Sequence, residues 1–196
     1  MMTRLPRKFY ARPATEVAPD LLGKLLVHQT ELGLRIGRIV EVEAYLGRED
    51  LAAHSSKGVT KRTSVMFGEA GHAYVYLIYG MHHCMNVVTG PQGSGSAVLL
   101  RALEPVQGLQ LNTSGPGRLA KAMGIDKRFY GSDLCLATST LFLADDGHRP
   151  DAVRRSPRIG VHYAGEWAGR PLRYYVSDSK WVSRVATVSS RRVAAG

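Results

Sequence analysis

Residues 74–88 read YVYLIYGMHHCMNVV. Valine, isoleucine, leucine and tyrosine at this density belong to β-strands. Alternation puts Tyr74, Tyr76 and Ile78 on one face and Val75, Leu77 and Tyr79 on the other. Gly80 permits a bend or bulge, and beyond it the parity is open. Three tyrosines, two histidines, a cysteine and an asparagine are an odd cargo for a strand that only fills a core. The run belongs to a strand group over residues 73–104, interrupted by TGPQGSGS, a glycine-rich hairpin connection.

Upstream, LLVHQTELGLRIGRIVEVEAYL (25–46) reads as two strands joined by a turn near Leu32-Gly33, near-alternating from Arg38 to Tyr45. ATEVAPDLLGKLLV (14–27) predicts a short helix broken by Pro19 and Gly23. Residues 47–72 form a polar, glycine-rich loop. Downstream, Gly115-Pro116-Gly117 starts a helix in GPGRLAKAMGI, whose backbone N–H groups and Arg118 could hold a phosphate or simply open the helix. TLFLADDG, RIGVHYAGEW (158–167), LRYYVSD and KWVSRV (180–185) are read as further strands. With no regular βαβ alternation, the expectation is an α+β fold: one compact domain, a curved, largely antiparallel sheet with peripheral helices, and flexible termini at about 1–7 and 187–196.

The 196 residues are 44% hydrophobic, enough for one sizeable core, and carry a net charge of +10 with a pI near 9.9. Such a basic domain favours a polyanionic partner, although a solvated basic surface without a partner is the plainer alternative. No apolar run approaches the ~20 residues of a membrane span. The N-terminus lacks an apolar signal core. Two cysteines, Cys84 and Cys135, make no secreted disulfide framework, and zinc-finger spacing is absent.

In RIVEVEAYLG, Glu41, Glu43 and Tyr45 alternate with Val40, Val42 and Ala44. An acidic face turned to solvent is the ordinary reading. A Glu43 buried near an arginine would instead suit a water-activating base. His54 lies in a loop, where a lone histidine is usually solvated. Arg101 ends the apolar run of SAVLLRALEP and, if partly buried, needs a carboxylate partner. His54, His72, His82, His83 and Cys84 tempt a metal reading. Adjacent strand residues point apart, however, and no carboxylate stands at HExxH-like spacing, so no metal site and no cofactor are expected.

RIVEVEAYLGREDLAAHS, MFGEAGHAYVYLIYGMHHCMNVV and LLRALEP, together with LLGKLLV, GPGRLAKAMGI and RIGVHYAGEWAGRPLRYYV, resemble the alkyladenine (3-methylpurine) DNA glycosylase family over residues 8–185. The resemblance implies a monofunctional enzyme of base-excision repair that flips alkylated or deaminated purines out of double-stranded DNA and hydrolyses the N-glycosidic bond. It implies Glu43 as the general base, and Arg101 with the backbone carbonyl of Ile159 as the groups holding the attacking water. Tyr45, His54 and Tyr76 would sandwich the flipped base, with polar contacts from the His54 ring and the backbone after it. Asn86 would clash with the 2-amino group of normal guanine, and Tyr79 would wedge into the duplex.

No lysine is placed at the site by the motifs, so no Schiff-base strand cleavage is expected. A single chain would suffice, with no membrane partner, in the bacterial cytoplasm at the nucleoid or in a eukaryotic nucleus. The chain departs from the family where many relatives read T-P-R-N: here TKRTSVMF keeps Arg62 but has Lys61 and Thr63, which bears on loop rigidity and damage range. His82, His83 and His162 also stand where relatives differ. A catalytically silent DNA-binding module is the first rival reading and a metal-assisted hydrolase the second.

Overall fold

The alternating apolar runs become strands of one antiparallel sheet. The computed structural model describes residues 2–183. In chain order these contain β1 (Thr3–Arg4), α1 (Arg7–Tyr10), α2 (Ala14–Leu21), β2 (Leu25–Thr30), β3 (Gly33–Tyr45), β4 (Ala73–Ile78), β5 (His82–Thr89), β6 (Ser96–Gln107), α3 (Pro116–Met123), β7 (Leu141–Asp145), β8 (Val153–Ser156) and β9 (Arg173–Val176). Short 3₁₀ turns lie at His54–Lys57, Ser64–Phe67, Lys127–Phe129 and His162–Gly169. The sheet runs β1-β7-β2-β3-β6-β5-β4, with β9 pairing β3 and β8. The fold is α+β: one compact domain around an open, curled sheet. No helix among the described residues is long and apolar enough to cross a membrane.

β3 is the spine. β2 flanks it over Gly33–Arg38, β9 takes over that edge at Glu41–Glu43, and β6 runs along its other side. The register between β3 and β6 breaks twice within three residues. Ile39 faces Leu103, Glu41 faces Ala102 and Val42 faces Leu100, so Val40 and Arg101 have no direct partner. These are β-bulges, which re-aim side chains. Their effect is visible in the main core, shared with α2 and α3, which contains Ile39 but then Val42 and Ala44 from β3, and Leu103 but then Leu100 and Val98 from β6. Core-facing residues are therefore three apart across each bulge instead of two. Uninterrupted alternation would have put Glu41 and Glu43 on the same side as Ile39; the bulge turns them to the opposite face.

β4 and β5 keep simple alternation. Val75, Met85 and Val87 enter the main core, while Tyr74 and Tyr76 face a smaller cluster on the other side. The predicted bend at Gly80 is the turn of a hairpin, Ile78–Met81, closed by Met81 N–H donating to the Ile78 carbonyl at 3.1 Å.

Three expectations change, and one strand is new. RIGVHYAGEW is not a strand: it bends at Ile159-Gly160 and continues as the 3₁₀ turn His162–Gly169, kinked at Gly165 with φ 57°. Its apolar residues Val161 and Ala164 pack with Ala52, Tyr45 and Trp167 in a satellite cluster, so their alternation is satisfied without a sheet partner. Lys180–Ser183 is turn and bend, and Arg184 and Val185 lie outside the described residues. β8 was not foreseen, because VRRS carries no apolar signature. Nor is the N-terminus loose over residues 3–7: β1 pairs with β7, Leu5 is buried, and Arg7 pairs with Asp133. Residues 187–196 lie outside the described residues. Cys84 and Cys135 are both free thiols.

Candidate active site

Glu43 has no exposed surface. Burying a carboxylate costs several kcal/mol unless it is paired and hydrogen-bonded, and here both conditions are met. Oε1 accepts the Ile159 backbone N–H at 2.7 Å, Oε2 accepts the Tyr45 hydroxyl at 2.9 Å, and Arg101 Nη1 lies 3.3 Å from Oε2. The Ile159 contact is through the amide; the expectation concerned its carbonyl. Tyr45, Arg101 and Ile159 all line one cavity of about 340 Å³, so Glu43 sits directly behind its wall.

Glu41, also without exposed surface, holds the arginine. Its Oε1 accepts Arg101 Nε at 2.9 Å, Arg173 Nε at 2.7 Å and the Ser183 hydroxyl at 2.8 Å, and Oε2 accepts the Ser183 N–H at 2.6 Å. Burial pushes this carboxyl's pKa up, but the charge of Arg101, the Ser183 hydrogen bonds and Arg173 together hold it below the ordinary value. For Arg101, burial opposes the charge, and Glu43 and Glu41 overcome it, so the guanidinium is held more firmly protonated than usual.

Most of the cavity's aromatic wall comes from β3, the loop after it and β4, with β5 adding polar groups. It includes Tyr45, His54, Tyr74, Tyr76, Cys84 and Asn86. Arg158 fixes the Tyr45 wall: its guanidinium lies 4.6 Å from the ring centroid, clamps Asp50 with two hydrogen bonds of 2.5 and 2.8 Å, and donates to the Ala44 carbonyl. His54 stands edge-on to Tyr76 at 4.7 Å, and its Nδ1 shares a 2.8 Å hydrogen bond with the Tyr74 hydroxyl. Burial first, then Arg62 and Lys57, lower the His54 pKa to about 4, so the ring is neutral at physiological pH. Burial likewise raises the pKa of Tyr45, Tyr74 and Tyr76, so all three remain phenols. Asn86 is held by Nδ2 donating to the Tyr74 carbonyl at 3.1 Å.

Tyr79 is not a strand residue, so parity does not place it. It occupies the hairpin turn with φ 52°, followed by Gly80 at φ 68°. Positive φ at both central positions is the type I′ arrangement, which favours Asn-Gly or Gly-Gly over a bulky first residue. Tyr79 is the one non-glycine residue with positive φ among those described, and it is 84% exposed at the cavity rim. Met81 beside it is also exposed.

The structure thus gathers Glu43, Arg101, Tyr45, His54, Tyr76, Tyr79, Asn86 and Ile159 around one cavity. Other residues were missed. Glu41 was noticed only as Glu43's neighbour, and Arg173, Ser183, Asp50 and Arg158 gave no signal, since ion pairs between distant segments leave no local pattern. Among the described residues no three His, Cys, Asp or Glu side chains come together as a metal site. A second cavity of about 870 Å³ shares Arg101 and Pro116 with the first and carries His82, Arg118, Lys121 and Lys180. The start of α3 lies on it, with Arg118 folded back onto the Ser114 carbonyl.

Comparison with known proteins agrees with this arrangement. Residues 8–180 match the family described as methylpurine-DNA glycosylase. A protein of Legionella pneumophila (strain Corby) named "Putative 3-methyladenine DNA glycosylase" is 56% identical over 184 residues, covering 93% of this chain and all of the relative. Proteins of the same name are 56% identical over 186 residues in Myxococcus xanthus (93% of this chain, 95% of the relative) and 49% over 198 residues in Methanocella arvoryzae (94% and 98%). Aromatic cavity, buried carboxylate and near-complete match converge: this chain belongs to the methylpurine-DNA glycosylase family.

Proposed function

We propose that Glu43 is the general base of a DNA glycosylase reaction on alkylated or deaminated purines flipped out of duplex DNA. The observation that carries this reading is a buried carboxylate hydrogen-bonded to Tyr45 and Ile159 and ion-paired with Arg101, all three of which line one aromatic-walled cavity. The enzyme is a base-excision-repair hydrolase acting on N-glycosyl bonds, and its substrate is DNA.

The chemistry follows from the geometry. A base inside a duplex cannot be reached, and extruding it costs roughly a few kcal/mol. Tyr79, solvent-exposed on the hairpin turn at the cavity rim, fills the vacated space. Tyr45, Tyr76 and His54 hold the extruded base, since stacking is worth roughly 1–3 kcal/mol per base. Cationic alkylpurines gain further from the faces of phenols that stay neutral. Water adds to the sugar C1′ as the C1′–N bond breaks and its electron pair leaves with the base. Glu43 takes the proton of the attacking water, a step worth ~10²–10⁴-fold, and its charge stabilises the oxocarbenium-like sugar.

Tyr45's hydroxyl covers Glu43 Oε2, so the attacking water must take the place of that hydrogen bond to reach the carboxylate. Among the described residues no lysine lines the cavity, which supports a monofunctional reaction leaving an abasic site. Arg118, Lys121 and Lys180, in the neighbouring groove, suit the backbone of duplex DNA. One chain carries the whole site, so a monomer suffices. The test is release of base from duplexes carrying one hypoxanthine or one ethenoadenine, and of 3-methyladenine from methylated DNA, in excess chelator, with abasic sites cleaved by alkali. Product in chelator is expected. Tight binding without product would make the chain a silent DNA-binding module, and activity lost to chelator would point to a metal.

A further inference from the structure

Two arginine–carboxylate contacts in this molecule have opposite geometries. Arg158 grips Asp50 with both terminal nitrogens, at 2.5 and 2.8 Å, the fork-to-fork arrangement that guanidinium and carboxylate prefer. Arg101 does not grip Glu43 in that way. It gives its Nε edge to Glu41 at 2.9 Å and offers Glu43 a single Nη1 contact at 3.3 Å, with Nη2 turned 3.4 Å from the Ser183 hydroxyl. Nothing in the chemistry of Arg101 and Glu43 requires that long, one-sided contact. Glu41 imposes it.

We propose that Glu41 is a positioning residue for base excision: by holding Arg101 along its Nε edge, it stops the guanidinium from closing on Glu43 as a bidentate clamp. The proposal rests on the reading of Glu43 as the base. A carboxylate clamped as Asp50 is clamped has its lone pairs spent and its charge neutralised, and makes a poor base. Held as it is, Glu43 Oε2 keeps one neutral phenol hydrogen bond and one long guanidinium contact, both of which water can replace.

Glu41 cannot itself be the base. It accepts four hydrogen bonds, has no exposed surface and does not line the cavity. Its anchors, Arg173 on β9 and Ser183 after it, come from chain more than 130 residues away, so its position is set by the whole fold. The bulges at Val40 and Arg101 bring Glu41, Glu43 and Arg101 to one face. With Arg173 the cluster holds two negative and two positive charges. Tyr45, Tyr76, Cys84 and Arg158 also lie close enough to Glu43 to feel its charge.

The experiment measures single-turnover excision against pH, duplex affinity and thermal stability for the wild type, Glu43→Gln, Glu41→Gln and Glu41→Asp. Glu41→Gln is expected to bind duplex like the wild type but to excise about 10²-fold more slowly, the scale of loss when a reacting group is misplaced by about 1 Å. The acid limb of its rate profile moves to lower pH, because one negative charge fewer lies beside Glu43 and Arg101 now leans wholly on it. Glu41→Asp keeps the charge and shortens the reach, so it separates loss of charge from loss of position, with thermal stability read for both variants. It should lose rate without shifting the limb. Asp146→Asn, which breaks a pair with Arg38 away from the site, is the control for lost stability alone. Rates that merely track the folded fraction, with an unmoved profile in Glu41→Gln, would reduce Glu41 to a structural tie. Wild-type rates in both Glu41 variants beside an inactive Glu43→Gln would overturn the positioning role and leave the proposed function standing. A fully active Glu43→Gln would remove the reading on which both depend.

Discussion

Two glutamates two residues apart on one strand have different fates because their partners differ. Glu41 is saturated by charged and fixed donors, whereas Glu43 meets a phenol, an amide and the free end of a shared arginine. The alternation put both on one face and raised Glu43 as a base only on condition of burial near an arginine, since the donors that separate the two come from residues 101, 159, 173 and 183. His54 shows the same limit. A loop histidine reads as solvated, yet packing against Tyr74 and Tyr76 lowers its pKa to about 4 from an ordinary value near 6.5. As pH falls through that window the unfolded chain takes the proton and the folded one does not, so His54 withdraws stability progressively from about pH 6.5 down to about pH 4. An NMR titration of the His54 ring should show a midpoint near 4. A midpoint near 6.5 would mean that the pocket is open and wet at this wall.

At the scale of elements, the hairpin turn holds the most telling compromise. A tyrosine with positive φ costs about 1–2 kcal/mol relative to a relaxed backbone, and the turn keeps it where a glycine would sit without strain. Tyr79→Gly should therefore melt at a higher temperature than the wild type while losing most of its excision from duplex DNA. A glycine variant that is less stable would contradict the strain, and one equally active on duplex would contradict the wedge. The strands themselves were largely legible: β2, β3, β4, β5, β6, β7 and β9 all follow alternation or apolar density. What alternation cannot show is a bulge. Val40 and Arg101 look like ordinary members of their runs, and the parity switch they cause appears only when two strands are laid side by side. RIGVHYAGEW misleads for the converse reason: its apolar residues are buried in a local cluster around Ala52, so they mimic a strand that is not there.

Across the whole molecule, a net charge of +10 becomes specific only where it is localised. Composition pointed to a polyanion without saying which face would meet it. In the fold, Arg118, Lys121 and Lys180 share a groove with Arg101, beside the aromatic-walled cavity. Binding should weaken with salt by about 0.9 in log K per log salt for each phosphate contacted. Arg118→Ser and Lys121→Ser should each reduce that slope by about 0.9 while leaving lesion preference unchanged. Duplex titrations across a range of salt concentrations check this. An unchanged slope in both variants would move the backbone path off this groove.

Base excision depends on Glu43 taking the proton of the attacking water. The most direct measurement is single-turnover release of hypoxanthine from a duplex, by the wild type and by Glu43→Gln, at matched saturation with DNA. The glutamine keeps the side chain's shape and its place beside Tyr45, Ile159 and Arg101 but cannot take a proton. The wild type should leave alkali-labile abasic sites, and the variant should bind the same duplex and release base at least about 10²-fold more slowly. Equal rates from the two proteins would show that the proton of the attacking water goes elsewhere.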